Sequence, residues 1–127
     1  MASPTTSGPT NLGMAPNLAG LLCYVPCCVG LLFSLVAAIV EKQSRFVRFH
    51  AFQSLLLHAA AIVVGVVLAI LQIVLGMIFG PLGFLVWLLS LVVGFAALAA
   101  LIVMMIKAYG GEEFELPALG EMARKWS

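Results

Sequence analysis

Between residues 17 and 40, and again between 49 and 106, this chain carries no aspartate, glutamate, lysine or arginine. Each such side chain costs roughly 2.5–3.5 kcal/mol at the centre of a bilayer, and an uncharged apolar run of 18 or more residues reads as a membrane span. The composition agrees: 64% of the 127 residues are hydrophobic and 9% are charged, against about 25% charged in an ordinary soluble domain. A water-soluble fold of this size has too few polar groups to cover its surface. The formal net charge of +1 excludes the basic footprint of a nucleic-acid partner, so the partner that the residues imply is the lipid bilayer.

The pattern predicts an all-α integral membrane protein with three transmembrane helices in a compact bundle and a short C-terminal interfacial helix. Residues 1–16 are rich in Ser, Thr, Pro and Gly and read as a disordered tail. They lack the basic n-region of a signal peptide. Residues 17–109 form the membrane domain, with helices over about 18–40, 49–79 and 82–107. Pro26 should kink the first of these, and Gly80-Pro81 should break the second. Residues 110–127 form a cytoplasmic tail with a short amphipathic helix.

Orientation follows from the cations. Lys42, Arg45 and Arg48 lie in the first loop, and Lys107, Arg124 and Lys125 follow the third run. Three crossings put all six on one side, which the positive-inside rule makes cytoplasmic. The N-terminus is then outside and the C-terminus inside.

Lipid supplies no hydrophobic drive for helices to associate, so small residues must let backbones approach. Stripes of such residues predict close contacts near Gly30, Ser34, Gly65 and Gly94. His58 and Gln72 are the intramembrane polar residues, and both fall on the stripe of the second helix. Interhelical hydrogen bonding explains them with less machinery than a titratable path does. Cys23, Cys27 and Cys28 sit in the first run without a neighbouring His or carboxylate. They read as packing residues rather than metal ligands or a disulfide. No nucleophile–base pair or metal triad is evident, so no enzyme and no cofactor is expected.

The first loop and helix start, E-K-Q-S-R-F-V-R-F-H-A-F-Q-S over 41–54, repeats Phe46, Phe49 and Phe52 beside Arg45 and Arg48. Such a segment at the interface buries its rings and keeps its arginines at phosphate level. Lys42, Arg45, Arg48, Phe49, His50, Gln53 and Ser54 are therefore the candidate interaction or lipid-headgroup element. In the tail, Gly110-Gly111 should stop the third helix and Pro117 should open a short one, with Trp126 as its interface anchor. Glu112, Glu113 and Glu115 fall on the side of Arg45 and Arg48, so the tail is expected to fold back and pair with them.

The stretches N-L-A-G-L-L-C-Y at 17–24, E-K-Q-S-R-F-V-R-F-H-A-F-Q-S-L-L-L at 41–57 and M-I-K-A-Y-G-G-E-E-F-E-L-P-A-L-G-E-M-A at 105–123 resemble a family of small bacterial membrane proteins of unknown function. That family is related to the Tic-twenty-like proteins of the chloroplast inner-envelope import machinery. The resemblance implies a multi-pass protein of the bacterial cytoplasmic (inner) membrane. It implies a scaffold or accessory subunit of a membrane assembly, related to protein transport and associating with itself or with a larger complex. It carries Arg48, Phe49, His50, Gln53 and Ser54 as a structural or interaction element. The alternative is an oligomeric channel or transporter subunit with a polar path at His50, Gln53, His58 and Gln72.

Overall fold

Pro26 divides the first apolar run in two. In the computed structural model, which describes residues 12–26, 28–116 and 119–127, helix α1 spans Pro16–Leu22 and helix α2 spans Cys28–Val40. The physical cause is local. The carbonyl of Leu22 would need the amide of residue 26, and proline has none. It accepts the amide of Val25 instead, and Leu21 accepts that of Tyr24, which tightens the last turn and ends the helix. The single crossing helix over 18–40 is thereby corrected. The 13 residues of α2 reach roughly 20 Å, short of a hydrocarbon core of about 30 Å.

Three further helices follow among the described residues: α3 over Arg45–Ile78, α4 over Gly80–Tyr109 and α5 over Leu119–Trp126. Helix α3 begins four residues earlier than the apolar pattern suggests. Ser44 accepts the amide of Val47 through its hydroxyl, and the Glu41 carboxylate accepts the amides of Gln43 and Ser44, so the helix start is capped. Only α3 and α4 are long and apolar enough to cross a membrane among the described residues. Residues 1–11 of the tail expected over 1–16, together with Cys27 and Pro117, lie outside the described residues.

The chain divides into two units. The first comprises residues up to His58 together with Leu101–Ser127. Its core includes Ala19, Cys23, Tyr24, Ala37, Phe46, Val47, Ala51, Met104 and Ala108. Asn17 donates its side-chain amide to the carbonyl of Tyr109 (3.2 Å), and a Cβ on Gly20 would lie 3.1 Å from Phe46 and 3.2 Å from Ala108. Helix α1 therefore starts beside the end of α4. From there it runs along α3 to Cys23, and α2 brings the chain back to the start of α3.

The second unit is Ala59–Ala100, a helical hairpin joined by the single residue Phe79. Each arm is about 20 residues, or roughly 30 Å, the thickness of a hydrocarbon core. The arms come close at glycine: a Cβ on Gly83 would fall 2.7 Å from the Cα of Gly76. Gly65 and Gly94, expected as contact points, have nothing within 4 Å of such an added atom. Ile62, Leu91 and Leu98, one turn away on the same faces, are exposed. Gly30 packs against the backbone of Val25, in the turn just before its own helix, rather than against a neighbouring helix.

Candidate functional site: a polar pin on helix α3

His50 and Gln53 are three residues apart, so they share one face of α3. Both are fully buried, and a buried polar group must find partners or cost stability. They find them on the tail. Helix α4 ends in a glycine turn: Gly111 has φ 83°, and the amides of Glu112 and Gly111 return to the carbonyls of Lys107 and Ala108. This is the C-terminal arrangement that favours glycine. It turns residues 112–116 back along α3 as an extended strap.

Every proton in the resulting circuit can be assigned. A carbonyl only accepts, so His50 donates its Nε2–H to Glu112 (2.9 Å). In the neutral ring Nδ1 is then an acceptor, and it takes the hydroxyl proton of Tyr24 (2.9 Å). The Tyr24 oxygen accepts one Nε2–H of Gln53, the other goes to the carbonyl of Phe114, and Gln53 Oε1 accepts the amide of Leu116, each at 2.9 Å. The Tyr24, Phe46 and Phe49 rings enclose the imidazole, with centroids 4.6 to 5.5 Å from its own.

A second junction lies deeper along α3. The carbonyl of Cys23, freed where α1 stops, accepts the hydroxyls of both Ser34 and Ser54. Two helices are thus fastened to the broken end of a third. His58 continues the row: its Nδ1–H donates to the carbonyl of Ser54 (2.8 Å), and its Nε2 is buried with no hydrogen-bond partner among the described residues.

The tail folds back, but the charges pair differently from the expectation. Glu112 meets Lys107 (3.2 Å), and Arg124 meets Glu113 and Glu115. Arg48 bonds the carbonyls of Glu41, Trp126 and Ser127, and the Arg124 guanidinium lies 4.6 Å from the Phe49 centroid. Phe46 and Phe49 are protein core rather than headgroup anchors. Lys42 and Arg45 are exposed. Trp126 stands against Phe52, with centroids 6.2 Å apart.

Of the four residues of the expected polar path, His50 and Gln53 are closed into the pin and His58 bonds the helix turn before it. Gln72 belongs to the other unit. Sequence reasoning missed Tyr24, Ser34 as the second hydroxyl on Cys23, and the strap itself. The alternation Glu113-Phe114-Glu115-Leu116 is the one local cue to an extended segment. Among the described residues no three His, Cys, Asp or Glu side chains group together.

An uncharged hairpin of bilayer length and a unit whose polar side chains hold its own backbone together define a helical membrane protein. Over residues 9–123 the chain matches the magnetosome magnetite crystal formation protein family, and it belongs to that family. It is similar to UPF0132 membrane proteins of archaea. One from Methanocaldococcus jannaschii is 40% identical over 120 residues, covering 94% of this chain and 96% of the relative. A second from that organism is 30% identical over 116 residues, covering 91% and 72%. One from Archaeoglobus fulgidus is 31% identical over 112 residues, covering 88% and 95%. No solved structure matches. These findings replace the resemblance to the chloroplast import family: the matching family is a different one, and the relatives are archaeal rather than bacterial.

Proposed function

We propose that this protein is a non-enzymatic membrane scaffold, anchored by residues 59–100 and offering the pinned helical unit as a surface for assembly. The observation that carries this reading is the closed circuit around His50 and Gln53. A transporter aims such groups at a solute, whereas here their hydrogen bonds are spent on Tyr24 and on main-chain atoms of the strap. The family description names magnetite crystal formation, and a scaffold that gathers other components at a membrane is the part of such a role that these residues support.

The topology that goes with this reading has two crossings, not three. The start of α1 lies with the end of α4, near Lys107, and α2 returns to the loop that bears Lys42 and Arg45. Both ends of the described chain and all six cations then stand on the cytoplasmic side. Helix α2 exposes Val29, Leu32, Val36 and Ile39, a face suited to lipid that enters and leaves the membrane on one side.

Compartment reporters fused to either end test the topology, and both are expected to report the cytoplasm. An external N-terminus would restore a third crossing. Reconstituted vesicles test the scaffold: ion and small-solute leakage should equal that of empty vesicles. Leakage well above that of empty vesicles would replace the scaffold with a channel.

A further inference from the structure

Gln72 is the outlier of the membrane hairpin. Residues 59–100 contain no charged side chain, and the other amphiphilic groups there are Ser90 and Trp87. Ser90 satisfies itself on the carbonyl of Val86 (2.9 Å), and the Trp87 ring stacks on Phe84 (5.7 Å). The Gln72 amide has no hydrogen-bond partner among the described residues, and it is half-buried beside a groove lined by Gly76, Gly80, Gly83, Phe84 and Trp87. It lies eight residues, roughly 12 Å, before the Gly80 end of the hairpin. In a core about 30 Å thick that depth is near the middle, where neither water nor an acyl chain can serve an amide.

On the reading of residues 59–100 as the membrane anchor, we propose that this groove receives the same hairpin of a second copy, with Gln72 paired across the contact. The occupant follows from the chemistry. A carboxamide holds a donor and an acceptor on one group, so it is complementary to itself. A two-fold contact sets a position against its own counterpart, and two such amides meeting there exchange two hydrogen bonds. Gly76 and Gly83 are taken up by the contact between the two arms, whereas an atom added at Gly80 meets nothing within 4 Å, so a second chain can approach at that end of the groove, as interhelical contacts in lipid require.

The test is energy transfer between donor- and acceptor-labelled full-length chains in phosphatidylcholine vesicles over a series of lipid-to-protein ratios. The parent should associate as a dimer. Gln72→Leu should weaken association about 3- to 30-fold, the range expected for interhelical polar contacts in membranes. Gln72→Asn, which keeps the amide, should recover part of it. Reporter fusions on the same variants verify insertion, so loss of the membrane reading and loss of the dimer are seen separately. Inserted chains that stay monomeric, or that associate equally with leucine at 72, would overturn the proposal. Transfer seen only when another membrane protein is added would assign the groove to that protein instead.

Discussion

The two units solve the same problem, burial of backbone and side-chain polar groups, in opposite ways. In Ala59–Ala100 the helices satisfy their own main chain, and the side chains are nearly all hydrocarbon. In the other unit three helix ends and a strap leave many main-chain groups without helical partners, and Ser34, Arg48, His50, Gln53 and Ser54 supply them. The difference teaches where specificity resides. The hairpin needs only to be greasy, uncharged and about 20 residues per arm, whereas the pinned unit needs particular atoms at particular positions.

The sharpest way to break that contrast is Gln53→Leu. It removes a donor to Tyr24, a donor to Phe114 and the acceptor for Leu116, leaving buried groups orphaned at about 1–3 kcal/mol each. Thermal unfolding in detergent should lose about 3–5 kcal/mol, and residues 110–127 should become the first site of proteolysis. Helical circular dichroism from the hairpin should persist. Retention of a protected tail would show that the pin is not what holds it.

Within the hairpin, glycine positions should sort by contact rather than by sequence. Gly83→Ala forces a methyl group into the Gly76 backbone and should cost about 1–3 kcal/mol, the usual penalty of overpacking. Gly65→Ala and Gly94→Ala meet open space and should be neutral, or stabilising by up to about 1 kcal/mol through helix propensity. Equal effects at all three would erase the distinction. A comparably small change is expected from Arg124→Ala. Its pairs with Glu113 and Glu115 are partly exposed and contribute about 0–1 kcal/mol. That difference should shrink further in high salt.

The hairpin was largely legible in the sequence, because its only requirement is a solvation pattern that composition records directly. Gly80-Pro81, Gly110-Gly111 and the short final helix were legible for the same local reason: turn chemistry is written in the residues that make it. The failure at the first run is instructive. Pro26 signalled a kink, but whether a proline bends a helix or ends it depends on what catches the freed carbonyls. Here Ser34 and Ser54, 11 and 31 positions beyond Cys23, do so. Likewise Arg48 and Glu113 have the right charges to pair, yet Arg48 meets carbonyls while Glu113 meets Arg124. Charge gives sign without direction. How the strap is anchored was invisible for a further reason. Its partners are backbone atoms, which every residue has, so nothing in residues 112–116 announces which side chains will hold them.

That last property bears on how freely this region can be rewritten. His50 and Gln53 grip main-chain oxygen and nitrogen at positions 112, 114 and 116, so the path of the strap is enforced without regard to the letters that occupy it. Glu113 and Glu115 could be exchanged for a recognition sequence of another kind and still be displayed in the same place. The fold thereby has a built-in cassette, whose outward message can drift or be redesigned while the lock beneath it stays closed.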